Sequence, residues 1–305
     1  MTQSAKHTIG FVEVGPRDGL QNEARLVSTR DKVELIRRAI TAGARRIEVA
    51  SFVNPRRVPQ MADAEAVVAE LGRPEGVTRI GLVLNERGAE RALASGLDQL
   101  GAVAIASDPF GIRNQGQDSA ESVNVAERIV ALSKAGGRTA QVTIAVAFGC
   151  PFGGEVDPSN VVRMAEQLAQ SGAVEIALAD TIGVAVPAQV STLVSAVKEV
   201  IEPLPVRVHF HNTRNTGIAN VWAAVEAGAS VVDASIGGLG GCPFAPGAAG
   251  NVASEDVVYL LERSGVATGL NLEKLIEAAH WLSGVMRKPM PSMLARAGGF
   301  PKAED

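Results

Sequence analysis

The 305-residue sequence is poor in cysteine, histidine and aromatic side chains: two cysteines, four histidines and 4% Phe, Trp and Tyr together. Two cysteines, Cys150 and Cys242, cannot build the disulfide framework of a small secreted domain. No apolar run approaches the roughly 20 residues of a membrane span. The opening Met1–Gly10 has neither the apolar stretch of a secretion signal nor the Arg-rich amphipathic character of a transit peptide, so cytoplasm is the expected compartment. Charge of one sign is also missing: the formal net charge is -4, which draws neither nucleic acid nor an anionic membrane surface. An anionic substrate must therefore be met locally, by individual arginines.

What remains is 46% apolar residues distributed in one recurring unit. A short β-branched run is followed by a polar or glycine-rich loop, then by an amphipathic segment ending near glycine. The expected strands are Ile9–Val14, Arg46–Val49, Arg79–Val83, Gln99–Ala106, Gln141–Ala147, Ala173–Leu178, Val206–Phe210 and Ser230–Asp233. Between them, Val33, Ile36 and Ile40, and later Val161, Met164, Ala165 and Leu168, recur at helical spacing and form apolar stripes. Ala42–Gly43, Ser171–Gly172 and Ala227–Gly228 mark helix ends. Eight such units fit a closed (β/α)8 barrel, a TIM barrel, within about residues 8–265. An open doubly wound sheet is the alternative. The barrel is favoured because no dinucleotide fingerprint follows the first strand and because polar residues collect at several strand ends, which converge only in a barrel. A further C-terminal helix is expected over about 271–287, carrying Leu272, Leu275, Ile276, Ala279 and Leu282, with fraying from Gly298. No linker or second domain is evident, so the chain reads as one catalytic domain, 1–305.

Strand seven ends His209-Phe210-His211. The two-residue period of a strand sends both imidazoles to one face, which makes half of a divalent metal site; histidines hydrogen-bonded at a strand end are the alternative. Strand one ends with Glu13, then Gly15-Pro16-Arg17-Asp18-Gly19. Asp18 could complete the histidine pair and Arg17 hold an oxyanion, or the two could form a surface pair in a turn. Glu48, among apolar strand residues, needs a partner such as Arg17. Asp180 lies at another mouth position, or caps a helix with Thr181. Asn251 follows Gly250 as an N-cap or an oxygen ligand. After strand eight, Gly237, Gly238, Gly240 and Gly241 precede Cys242, a pattern for a mobile segment that delivers a thiol, cradles phosphate or simply turns. These residues share the C-terminal strand ends, the catalytic face of a barrel.

Several segments resemble the hydroxymethylglutaryl-CoA lyase family: Phe11 through Glu23, Glu48-Val49-Ala50-Ser51-Phe52-Val53, Val58-Pro59-Gln60-Met61, Gly149-Cys150-Pro151, Asp180-Thr181-Ile182-Gly183 and Gly238 through Pro243 with Gly250-Asn251. The resemblance runs from about residue 7 to 285. It implies that Asp18, His209, His211 and Asn251 ligate a divalent cation, Mg2+ or Mn2+. Arg17 then stabilises the enolate oxygen of an acyl-CoA thioester substrate, and Cys242 takes part in protonating the acetyl-CoA carbanion. Glu48, Asp180 and Glu13 organise the site or move protons. The implied reaction is a retro-Claisen cleavage to acetyl-CoA and a keto acid such as acetoacetate, in which the cation lowers the pKa of the 3-hydroxyl. The base is left between Asp180 and a hydroxide at the cation.

Two departures stand out. Where the family continues Asp-Thr-Tyr-Gly after the second histidine, this chain has Asn212-Thr213-Arg214-Asn215, and Ser107-Asp108-Pro109-Phe110 replaces Ser-Glu-x-Phe. The expectation is an altered pocket wall, with Arg214 available to a differently placed carboxylate and the histidines deprived of an aspartate, so the substrate could be another 3-hydroxyacyl-CoA. Competing functions are a related aldolase or a condensing synthase, and a barrel retained for binding alone. A homo-oligomer, most simply a dimer, is expected, with the apolar face of the 271–286 helix as a candidate contact.

Overall fold

The computed structural model describes residues 8–241 and 250–301. Eight parallel strands close in sequence order into a barrel: β1 Gly10–Glu13, β2 Arg46–Ser51, β3 Thr78–Leu82, β4 Gln99–Ile105, β5 Thr139–Ala145, β6 Ile176–Asp180, β7 Val206–Phe210 and β8 Val231–Ala234. Closure is made by β1 on β8, with Gly10 opposite Val231 and Glu13 opposite Ala234. The principal helices around it are α1 Thr29–Thr41, α2 Ala64–Leu71, α3 Glu86–Ala94, α4 Asp108–Gln115, α5 Ser119–Ala135, α6 Pro158–Gln170, α7 Pro187–Ile201, α8 Gly217–Glu226 and α9 Ser254–Arg263. The anticipated helix ends are met: α1, α6 and α8 stop at Ala42, Ser171 and Ala227, each followed by a glycine of positive φ. Strand β6 begins three residues later than the alternation suggested, so Asp180 closes the strand instead of opening the loop.

Two kinds of interior result. Between barrel and helices lies an apolar layer, for example Val33, Leu35, Ile36 and Ala39 of α1 and Val161, Met164, Ala165 and Leu168 of α6. Inside the barrel, a small apolar plug of Val12, Val14, Ile80 and Val231 sits beside a charged layer. Arg46 on β2 reaches Glu175 at the foot of β6, with bonds of 2.8 and 2.9 Å. Strands two and six lie on opposite sides of the barrel, so this pair spans its interior. Apolar branched side chains are the usual filling, and charges there require partners.

Beyond α9, α10 Leu272–Met286 starts at Asn271, whose side chain accepts from the Lys274 N–H at 3.0 Å. Its buried residues Leu275, Ala278, Ala279, Leu282 and Met286 pack toward α1, α9 and a short 3-10 turn at Ile236–Gly238. The apolar face anticipated as an inter-subunit contact is thus spent within the chain, a correction to the sequence reading. A short helix α11, Leu294–Ala297, follows; its four residues carry too little periodicity to be recognised. Among the described residues, no helix is long and apolar enough to cross a membrane.

Candidate active site

The site begins where β1 runs out. Residues Gly15–Gly19 form a single π-type turn in which the Gly19 N–H reaches the Val14 carbonyl at 3.2 Å. Such wide turns occur at functional sites, and this one brings Arg17 and Asp18 to the barrel mouth. The Arg17 Nε donates to Glu48 Oε2 at 2.6 Å, and its Nη1 donates to Asp18 Oδ1 at 2.5 Å. The Glu48 contact is made through Nη2 as well. Both anticipated pairings are therefore present, and Arg17 is buried instead of lying on the surface. Burial works against its charge, but Glu48 and Asp18 outweigh that cost and raise its pKa above the ordinary arginine value.

Strand β7 and the residue that follows it supply the imidazoles of His209 and His211, whose ring centroids are 5.2 Å apart. Asp18 Oδ2 lies 3.8 Å from His209 Nε2 and 3.9 Å from His211 Nε2. Those distances exceed a hydrogen bond and leave room for a shared ion. Asp18, His209 and His211 form a group whose candidate ligand atoms lie within 4.8 Å of one another. Burial alone would raise the Asp18 carboxyl, but Arg17 and the imidazoles hold it well below its usual range, so it stands as a carboxylate.

Asn251 reaches the same place by a different route from the one expected. It does not cap α9, whose N-cap is Ala253. Instead, it bridges to His211 beside the end of β7, with the Asn212 N–H on the Gly250 carbonyl at 2.6 Å. Its Nδ2 donates to Asp18 Oδ2 at 2.9 Å and to the Leu239 carbonyl at 3.1 Å. Gly250 is required here by close approach, since a Cβ would stand 1.6 Å from the Gly240 oxygen. The two ends of the glycine loop thus meet beside Asn251. Cys242 itself lies outside the described residues.

Two of the acids singled out from sequence sit elsewhere. Glu13 points away from the barrel axis: its Oε1 accepts from the Gly15 and Ile236 N–H groups at 2.8 and 2.9 Å, and its Oε2 from Ser254 Oγ at 2.6 Å. Burial pushes its carboxyl up to about 7 against those hydrogen bonds. Asp180 turns into its own loop, accepting from the Val184 and Ala185 N–H groups at 2.9 and 3.0 Å. Burial raises it despite those bonds. Neither lines the cavity. Alternation explains both: Ala179 and Val12 take the inward positions beside them.

The departure after His211 also resolves. Asn212 Oδ1 accepts from the Gly217 N–H at 3.0 Å, closing the turn before α8. The Arg214 Nη1 donates to the Ile182 and Gly183 carbonyls, each at 2.9 Å, tying two loops together; it does not line the cavity. Support for the histidines comes from a residue outside the motifs. Asp233, near the end of β8, lies with its Oδ2 3.2 Å from His209 Nδ1. A proton held on Nδ1 by that carboxylate leaves the Nε2 lone pair directed at Asp18, as in the carboxylate–histidine pairs behind metal ligands.

Arg17, Asp18, Glu48, His209, His211 and Asp233 open into one cavity of about 560 Å³. Thr143, Ala145, Ala179 and Thr181 line its deep part, and Asn54, Arg57, Asn85, Asn114 and Gln117 its outer part. A carboxylate with two imidazoles, beside a fixed guanidinium, can hold a divalent ion and stabilise an oxyanion at the same time.

A family model described as HMGL-like matches residues 8–282. The (R)-citramalyl-CoA lyase of Chloroflexus aurantiacus is 44% identical over 300 residues, covering 95% of each chain. A hydroxymethylglutaryl-CoA lyase of Bacillus subtilis is 40% identical over 92% of this chain and 94% of its own. Among solved structures, an HMG-CoA lyase from Acinetobacter baumannii in complex with coenzyme A and 3-methylmalate superimposes with a TM-score of 0.93 at 39% identity, covering 100% of this chain and 99% of that one.

Proposed function

The chain belongs to the HMGL-like family, and from that premise we propose that it is a divalent-cation-dependent carbon–carbon lyase. Its substrate in this reading is a 3-hydroxyacyl-CoA of the 3-hydroxy-3-methylglutaryl type, cleaved to acetyl-CoA and a keto acid. The observation that carries the reading is the convergence of Asp18, His209 and His211 beside a buried Arg17 in one cavity. The donor set fits a cation, since an ionised carboxylate and two imidazole Nε2 atoms face one another beyond hydrogen-bond range. With the Asn251 amide adjacent, such oxygen and imidazole donors suit Mg2+ or Mn2+. Bound there, the ion supplies Lewis acidity that lowers the pKa of the substrate hydroxyl.

The chain's own residues do the rest. Arg17, aimed by Glu48, donates to the thioester oxygen where charge develops as the C2–C3 bond breaks. Cys242 gives the proton to C2; the meeting of Gly240 and Gly250 beside Asn251 supports that assignment, because it roots the thiol-bearing loop at the mouth. The amide-rich outer wall, with exposed Arg57, accommodates the CoA arm and its phosphates. Glu13 and Asp180 hold loops; the 3-hydroxyl proton passes to water in the open cavity, which balances the proton that Cys242 gives to C2. A CoA thioester substrate also accords with the expected cytoplasmic location.

A second reading of the substrate has its own support. In citramalyl-CoA the carboxylate sits on the carbinol carbon itself, and the same cleavage yields acetyl-CoA and pyruvate. The 44% identical relative bears that activity in its name, and Arg17 and Arg57 are the only arginines lining the described cavity. Release of acetyl-CoA by Mn2+-replete protein from hydroxymethylglutaryl-CoA and from both citramalyl-CoA enantiomers, with the keto acid identified, decides between them. Acetoacetate supports the first, pyruvate the second, and release from neither contradicts both.

A further inference from the structure

The inward row of β7 does not begin at the histidines. Two residues earlier, Arg207 is completely buried at the centre of the barrel, where three carboxylates surround it, two of which aim the catalytic groups. Its Nη1 lies 3.1 Å from both oxygens of Asp233 and 3.7 Å from Glu48 Oε1. Its Nη2 donates to Thr143 Oγ1 at 3.0 Å, and its Nε faces Glu175 Oε1 at 3.2 Å. Asp233 in turn holds His209 Nδ1, and Glu48 Oε2 holds Arg17. The cation half and the oxyanion half of the site therefore meet at one guanidinium.

We infer that Arg207 is a positioning residue: it fixes Asp233 and Glu48 together, and through them the aim of His209 and Arg17. This inference rests on the reading of Asp18, His209 and His211 as the cation site. Its physical basis is the geometry of arginine, whose planar fork reaches several acceptors in fixed directions, whereas an ammonium is a single point charge. A charge so deeply buried is a weak source of stability. Its retention inside the barrel, where apolar packing would serve the fold, points to a task in the site above it.

The test is a thermodynamic cycle on Mn2+ affinity of the chelator-stripped protein, read by calorimetry and by Mn2+ EPR, with folding checked by circular dichroism. Loss of an orienting partner behind a ligand costs about 10- to 100-fold in metal affinity. Asp233→Asn is expected to show that loss, and Arg207→Lys a loss of about tenfold. The Arg207→Lys/Asp233→Asn double variant should bind no worse than Asp233→Asn alone, because Arg207 acts through Asp233. At saturating Mn2+, Arg207→Lys should still lower kcat with KM little changed, through the loosened Glu48–Arg17 pair. A packing change remote from the site, Val130→Ala in α5, should lower Tm without moving Mn2+ affinity.

Unchanged Mn2+ affinity in a folded Arg207→Lys variant would overturn the inference, as would losses that simply multiply in the double variant. Should Arg207→Lys not fold, the charge-balanced pair Arg207→Met/Asp233→Asn replaces it. The expected result is then the Mn2+ affinity of Asp233→Asn alone; affinity equal to the parent, or far below Asp233→Asn, overturns it. Absence of Mn2+ binding by the parent sinks the cation reading itself, and this inference with it.

Discussion

Replacing Arg17 by glutamine tests the oxyanion half of the site most sharply. The guanidinium makes three kinds of contact at once: two nitrogens on Glu48, one on Asp18, and an open face on the cavity. Removing one donor from a developing oxyanion costs about 10²–10³ in kcat, or roughly 2.7–4 kcal/mol. The same change takes away the charge that holds the Asp18 carboxyl low. Without it the two imidazoles still act against burial to favour the Asp18 carboxylate. Because Arg17 orients the ligand Asp18, cation affinity should fall by about 10- to 100-fold, while at saturating Mn2+ kcat still falls by the full factor and KM changes little. Arg17→Lys should recover only part of the rate, because one ammonium cannot engage Glu48 and the substrate together. The assay is acetyl-CoA release under saturating Mn2+ together with Mn2+ titration of the same preparations. A kcat within threefold of the parent, or a collapse of Mn2+ binding with kcat preserved at saturation, would refute the assignment of Arg17 to the oxyanion.

Other outcomes follow from the same geometry. Asp18→Asn removes the only carboxylate of the triad and should abolish measurable Mn2+ binding by calorimetry while leaving the circular dichroism spectrum unchanged. Cys242→Ser should keep Mn2+ affinity nearly intact and lower turnover; a collapse of metal binding would make the thiol a ligand or a structural group. Glu255, which accepts the Gly237 N–H, is raised by burial to about 8, and Glu13 to about 7. Each keeps its proton in the folded chain at pH values where the unfolded chain has lost it. Stability should consequently fall as pH rises from about 5, through about 7 for Glu13 and about 8 for Glu255, by up to about 1.4 kcal/mol per pH unit for each group within its window. Glu255→Gln should match the parent's Tm near pH 5 and exceed it at pH 8; identical Tm profiles would contradict the assignment. Leu282→Ala in α10 should cost about 2–5 kcal/mol of unfolding free energy in urea without altering the sedimentation coefficient, since that face is buried within the chain.

Much of this architecture was legible before any coordinates. Short β-branched runs alternating with amphipathic segments give eight strand–helix units, polar residues gathered at several strand ends favour the barrel over an open sheet, and glycines past Ala42, Ser171 and Ala227 mark helix ends because they alone take positive φ there without cost. The pairing of His209 with His211 followed from the strand period, and a partner for Glu48 from the cost of a lone buried charge. What escaped was side-chain direction. Glu13 and Asp180 stand at strand ends as the catalytic residues do, yet alternation turns each outward onto loop amides. Arg207 and Asp233 belong to no motif. The row Arg207, His209, His211 carries the same two-residue period as the histidine pair, and an aspartate inside Val231–Ala234 raises the same question of a partner as Glu48 does. Arg214 illustrates the converse: a basic residue in a loop met two backbone carbonyls, which residue identity alone does not distinguish from a substrate carboxylate.

The account stands on a cation held between Asp18, His209 and His211, and the most direct measurement is anomalous scattering from a crystal of the protein soaked in Mn2+. The predicted result is one strong peak within coordination distance of an Asp18 carboxylate oxygen and the Nε2 atoms of His209 and His211, absent in the Asp18→Asn variant. No peak there, or the same peak surviving the substitution, would contradict the central claim.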